Sequence, residues 1–230
     1  NYRQTCVSLR DGVLRSEGDQ TNESLRLCGV SLTGLQQATW LTDYQIKVMR
    51  NTAIAGAYSM ADELGLPRPK LVTTLKPEGT GTKICGSTTT AITEGVHKPL
   101  GKFVFNWIGF GKRNPLLAAL AAAGYRIIDN PSDPTGKLVC FPVEYNDVEF
   151  DVVDGKPVNL DSAVDQLNRY RRWNTLWADH NVSNTISWHI DELDEIVEHF
   201  YAATGDMIEE IGVRAVFFIE GVGESEEFVF

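Results

Sequence analysis

A chain of 230 residues that is 43% hydrophobic can bury a sizeable core, which excludes a disordered or fibrous polymer and leaves one large domain or one piece of a larger one. With 21 basic against 31 acidic residues, a net charge of −10, it lacks the electrostatic footprint of a nucleic-acid binder or of a protein drawn to an anionic membrane. Any anionic ligand must therefore be held by local groups such as backbone amides.

In chain order, residues 10–24 are polar enough to predict an exposed loop. The apolar run 27–34 (Leu27 to Gly34) predicts a buried strand that ends at a glycine turn. From Tyr44 to Leu64, Ile46, Met49, Ala53, Ala57, Met60, Ala61 and Leu64 recur at three- and four-residue intervals, and Gly65 and Pro67 follow, which predicts an amphipathic helix. A second strand, 71–76, runs into the glycine-rich turn Pro77-Glu78-Gly79-Thr80-Gly81-Thr82. Asn114 before Pro115 resembles a helix start, with the helix ending at Gly124. Residues 137–143 predict a third strand, Asp161 a cap for a helix to about Ala178, 182–188 a fourth strand, Asp191 a cap for a helix to about Ala203, and 213–219 a fifth strand. Alternating strands and helices argue for an α/β fold with a mostly parallel sheet. Five strands do not close a barrel, so an open half would need a partner segment or a flatter topology.

Four cysteines (Cys6, Cys28, Cys85, Cys140) without a Cys-x-x-Cys pair suit reduced thiols in a cytosol rather than a disulfide framework or a zinc site. The histidines His97, His180, His189 and His199 show no metal-ligand spacing. No run of about 18 apolar residues and no basic-then-apolar leader is seen, so neither a membrane span nor a signal peptide is expected. The start at Asn1 in place of Met points to a processed, trimmed or split polypeptide.

The strongest chemical signal is 73–82, where two glycines among threonines just past a strand let backbone N–H groups converge on an oxygen anion. Neither the P-loop nor the dinucleotide-binding spacing is present, and an ordinary strand-exit turn is the competing reading. Gly95-Val96-His97 follows closely enough for His97 to approach the same ligand or a cofactor, although a lone histidine is more often structural. Residues 181–188 interleave small polar with apolar side chains, as a strand lining a wet cavity or simply a half-exposed one would. Phe103, Phe105, Trp107 and Phe110 suit either stacking on a planar ligand or core packing. No nucleophile elbow is present, and the acidic runs read as solvated faces.

Six segments, taken together and in order, resemble the monomeric adenosylcobalamin-dependent (class II) ribonucleoside-triphosphate reductases: 27–36 (LCGVSLTGLQ), 73–82 (TTLKPEGTGT), 95–97 (GVH), 114–125 (NPLLAALAAAGY), 139–144 (VCFPVE) and 176–188 (LWADHNVSNTISW). The resemblance implies a ten-stranded α/β barrel made of two five-stranded halves, of which residues 1–230 would be the carboxy-terminal part. It implies that Pro77, Glu78, Gly79, Thr80, Gly81 and Thr82 cradle the substrate's phosphates, and that Gly95 and His97 lie on the adenosylcobalamin or substrate side of the cavity. The family's Asn-x-Cys-x-Glu finger loop, whose cysteine becomes the thiyl radical, does not occur in this sequence, nor does a terminal cysteine pair. Ribonucleotide reduction, a step of deoxyribonucleotide biosynthesis for DNA replication, would then need a complementary polypeptide carrying that loop, as in a split enzyme, together with a ribonucleotide substrate and a thioredoxin-like reductant. A non-catalytic nucleotide-binding or assembly subunit and an unrelated α/β phosphate-binding enzyme are the alternatives.

Overall fold

The computed structural model of the chain describes residues 15–84, 91–203 and 216–220. In chain order they form α1 (Ser16–Leu25), α2 (Asp43–Leu64), α3 (Gly79–Ile84), β1 (Phe103–Gly111), α4 (Leu116–Ala122), β2 (Ile127–Asp129), β3 (Gly136–Glu144), β4 (Asp151–Val153), β5 (Lys156–Val158), α5 (Ala163–Leu176), β6 (Asn184–Trp188), a 3-10 turn (Ile190–Glu192), α6 (Leu193–Ala203) and β7 (Val216–Glu220). The described residues divide into two units: unit 1 takes those up to Pro77, the three residues Gly95–His97, and those from Asp161 to Glu220, and unit 2 takes those between Glu78 and Glu94 and between Lys98 and Leu160.

Unit 1 is built on parallel pairing. Val30 bridges Thr73, Leu75 bridges Val182, and β6 pairs with β7 from Asn184 against Val216 to Trp188 against Glu220. Between the first two segments the ladder is short, carried by Val30 N–H to the Val72 carbonyl (2.9 Å) and Thr74 N–H to the Val30 carbonyl (3.0 Å). Parallel neighbours require a crossover, and α2 and α6 supply it between successive segments. Their inward side chains, Cys28, Val72, Leu75, Val182 and Ile186, are buried.

Helix α2 starts where Thr42 and Gln45 form a capping box and stops at Gly65, which takes φ +64° and lets the Leu66 amide reach back to the Ala61 carbonyl. Ile46 packs into a cluster with Leu35, Leu75, Val96, Tyr170, Trp173, Trp177 and Val182. Ala57 and Ala61 pack with Cys28 and Val72. Helix α5 is set by a second capping box, Ser162 with Asp165, so the cap is Ser162 and not the predicted Asp161. The next helical stretch opens at His189, whose Nδ1 accepts from the Asp191 amide, where Asp191 itself was the expected cap.

Unit 2 holds a correction to the expected sheet. The third predicted strand does form, as β3, but it pairs antiparallel with β1, Phe103 against Glu144 through Gly111 against Gly136, and with β2 on its other edge. Apolar content announced the strand; the apolar segment that arrives alongside it, β1, decided its partner. Within the described residues, four of the five predicted strand segments are paired parallel in unit 1, and 137–143 belongs instead to an antiparallel sheet in unit 2. The exposed loop expected at 10–24 is helical from Ser16 onward, although α1 buries none of its residues. A hairpin the sequence reading passed over, β4–β5, turns at Asp154 (φ +50°) and Gly155 (φ +78°). Asp-Gly is the usual chemistry of a two-residue hairpin turn.

Strand alternation splits the aromatic group of β1. Phe103, Phe105 and Trp107 share one face, where the Arg126 guanidinium lies 5.5 Å over the Trp107 ring, whereas Phe110 faces the other way toward Phe141 and, beyond it, Tyr125. On Phe110's face Asn106 is 8% exposed, and its Nδ2 is buried without a hydrogen-bond partner. An unsatisfied buried amide costs about 1–3 kcal/mol. Asn106→Leu, close in volume and without that cost, is expected to raise the urea midpoint of unfolding, and an unchanged or lower midpoint would show that the carboxamide is satisfied in solution.

Candidate functional site

The carboxyl ends of parallel-paired strands are where α/β folds gather ligands, because loops and helix starts converge there. In unit 1 this end carries Ser31, Lys76 and Pro77, and Thr185. Ser31 Oγ accepts the Lys76 amide (2.9 Å), which fixes the exit of the 71–76 segment. The Gly95–His97 strap packs here. A Cβ on Gly95 would stand 2.7 Å from the Lys76 carbonyl oxygen, so only glycine allows this approach. Val96 is 1% exposed, and its carbonyl accepts from Gln36 Nε2 (3.1 Å) and Arg169 Nη1 (3.4 Å). His97 Nε2 accepts the Thr185 amide (3.0 Å), so this nitrogen carries no proton and is spent inside the fold. As placed, Gly95 and His97 form a strap that closes on the protein's own backbone. Among the described residues, no three His, Cys, Asp or Glu side chains group to hold a metal ion, and no helix is long and apolar enough to cross a membrane.

The opposite end of the same segments is held by a carboxylate. Asp179 accepts from the Val72 amide (3.0 Å), the Thr73 amide (3.3 Å) and the Arg50 guanidinium. Burial alone would raise its pKa, but the Arg50 hydrogen bond, the two amides and the Arg50 charge outweigh it and hold the carboxyl below its ordinary value. Thr73, fully buried, donates to the Trp177 carbonyl (2.5 Å) and accepts the Asp179 amide (3.1 Å), and Trp177 Nε1 donates to the Thr74 carbonyl (2.8 Å). This end is rich in internal bonds, although His180 Nε2 and Asn181 Oδ1 beside Asp179 are buried without a hydrogen-bond partner.

In unit 2 the segment expected as a glycine-rich turn is helical from Gly79, forming the first turn of α3. Glu78 takes φ +56°, a conformation that side chains rarely adopt. Glycine follows directly, and a Cβ on Gly79 would meet the Glu94 carboxylate at 3.4–3.6 Å. A Cβ on Gly81 would lie 3.7 Å from Glu78 Oε2. Thr82 is buried, and its hydroxyl donates to the Glu78 carbonyl (2.9 Å), so it braces the turn from inside. Nothing is described of the Thr80 side chain. Burial, and secondarily the Glu94 charge, push the Tyr145 hydroxyl above its ordinary pKa, so it stays protonated. Sequence reasoning thus included Glu78 but not Glu94, whose place beside Gly79 is recognisable only from the fold. Gln36, Arg169 and Thr185 were likewise missed as neighbours of the strap. Gln36 and Thr185 lie within two of the six resembling segments, and Arg169 lies in none.

No family model matches the chain. It is 32% identical over 124 residues to an adenosylcobalamin-dependent ribonucleoside-triphosphate reductase of Lactobacillus gasseri, a match covering 54% of this chain and 16% of that protein. The reductase of the same description from Lactobacillus acidophilus is 31% identical over 140 residues, covering 61% of this chain and 18% of the relative. That from Lacticaseibacillus paracasei is 28% identical over 146 residues, covering 64% and 19%. The chain therefore spans less than a fifth of the length of these curated relatives. Among solved structures, a B12-dependent (class II) ribonucleotide reductase superposes with a TM-score of 0.67 at 20% identity, covering 90% of this chain and 31% of that one. At that identity the likeness speaks for the fold.

Proposed function

Starting from the chain's relationship to the adenosylcobalamin-dependent ribonucleotide reductases, we propose that it forms the carboxy-terminal part of such a reductase's catalytic barrel. Its task is to hold the phosphates of a ribonucleotide at the glycine-rich turn. The observation that carries this reading is the coincidence of motif order with fold: the chain keeps the segments of that family in sequence while nine-tenths of it follows a class II reductase backbone. The reaction converts a ribonucleotide and a dithiol into a deoxyribonucleotide, a disulfide and water. Adenosylcobalamin supplies the radical that initiates it, and the thiyl-forming cysteine comes from a complementary polypeptide bearing Asn-x-Cys-x-Glu.

This chain's own residues bind and position. Backbone amides at Gly79 to Gly81 face the phosphates, Thr82 braces the turn from within, and the peptide after Pro77 carries the strand exit into it. The charged neighbours Glu78 and Glu94 favour a ligand that brings counter-charge with it, so a triphosphate with its cation suits the turn better than a bare anion. Gly95 and His97 act through the strap; no direct bond to the cofactor is assigned to them.

Mixing the chain with a separately expressed reductase segment that contains the finger loop, adenosylcobalamin, a ribonucleoside triphosphate and a dithiol tests the reading. Deoxyribonucleotide should form only in the complete mixture. Stable association of the two polypeptides without product would reduce the role to assembly, and no association would remove the barrel reading altogether.

A further inference from the structure

The chain leaves unit 1 after Pro77, comes back for Gly95–His97 alone, leaves again and re-enters at Asp161. Three residues cannot hold themselves in place by hydrophobic burial, and Val96 contributes the single side chain of the strap that enters the core cluster. Polar anchors do the rest. Arg169, on α5, directs Nη1 at the Val96 carbonyl and Nη2 at the Asp161 carboxylate, so one guanidinium holds the strap and the re-entry point together. Arg169 and Asp161 side chains are 19% and 13% exposed, which strengthens the pair relative to one in open water. Gln36 doubles the bond to the Val96 carbonyl. Beneath the strap, Gly95 presses on the Lys76 carbonyl and lies near Pro77 Cα, where a Cβ would stand at 3.5 Å.

We propose that Arg169 is a positioning residue: it latches the Gly95–His97 strap to Asp161 and, through the strap's packing on Lys76 and Pro77, fixes the point from which the glycine-rich turn departs. Arginine suits this task because its planar fork offers donors in two directions at once, whereas a lysine ammonium serves one acceptor well and swings on a flexible stem. The effect on ligand binding rests on the phosphate-turn reading above; the latch itself does not.

Amide hydrogen exchange on the full chain separates the two. The Thr185 amide, bonded to His97, reports the strap, while the Leu75 and Ser183 amides, bonded to the Asn181 and Leu75 carbonyls, report the parallel ladder beside it. In Arg169→Met, Thr185 should exchange about tenfold faster or more, with Leu75 and Ser183 unchanged. Arg169→Lys should fall between, and Gln36→Leu should move Thr185 in the same direction should Arg169→Met not fold. ATP affinity, read by calorimetry, should drop at least about threefold with the strap loosened. An unchanged Thr185 rate, or one rising in step with Leu75 and Ser183, overturns the latch. If the original chain does not bind ATP at all, the phosphate reading fails, and the exchange comparison still decides the latch.

Discussion

Asp179→Ala is expected to lower the stability of unit 1 by about 2–3 kcal/mol, since it strips a charged acceptor from two backbone amides and from an Arg50 side chain that is itself 34% exposed. The size follows from what the carboxylate leaves behind. Its side chain is 11% exposed, and it meets Arg50 together with the Val72 and Thr73 amides, which lie on a segment held between Val30 on one side and Asn181 on the other. Those amides cannot turn to water without opening the junction between 71–76 and 177–182. Asp179→Asn should cost less, because the amide oxygen still accepts from one or two of the donors. Acid behaves in the same sense. A carboxyl held below its unfolded value of about 3.9 contributes stability that is fully present above that value and is lost as pH falls through the lower folded value. Urea unfolding near neutrality and near about pH 3 checks this. The original chain should lose stability between the two, and Asp179→Ala should lose less. Equal acid sensitivity in both proteins would remove Asp179 as the source.

What the sequence made legible was local. The α2 span was legible from a 3–4 apolar spacing and a terminal glycine, all local, while the Thr42 cap was not read. The glycine-rich turn was visible because glycine and threonine after a β run have few other uses. Partnership was not legible. Residues 137–143 read as a strand of the same kind as 182–188, yet one pairs antiparallel with its near neighbour and the other lies in the parallel set, since pairing depends on which segment arrives alongside. Asp161 shows the same limit: it has the chemistry of a helix cap, but Ser162 takes that place and Asp161 is left to meet Arg169, eight residues on. His97 was read as able to approach a ligand or cofactor because it follows the glycine-rich segment closely; its bond with the Thr185 amide, 88 residues away, was not legible.

Gly79→Val is expected to abolish measurable phosphate binding while leaving the fold intact. The position has no positive φ that would forbid a side chain, so the backbone accepts valine; the obstacle is space. A Cβ already stands 3.4 Å from Glu94 Oε1, and the two methyl groups beyond it reach farther, driving the carboxylate away and covering the backbone of the turn. Amides that can no longer be approached to within about 3 Å donate nothing to a phosphate oxygen, so ATP affinity should fall by more than about tenfold. Gly79→Ala, with the Cβ alone, should fall between. Glu94→Gln runs the other way: it keeps the shape beside Gly79 but removes a negative charge from the place where a phosphate would sit. At an effective dielectric near that of a protein surface such a charge is worth about 1 kcal/mol or more, so ATP should bind several-fold tighter, and more so at low salt. Opposite shifts for Gly79→Val and Glu94→Gln, with urea midpoints close to that of the original chain, would place the phosphates at this turn. Affinity indifferent to both changes would move them elsewhere and reduce residues 78–82 to a strand exit braced by Thr82.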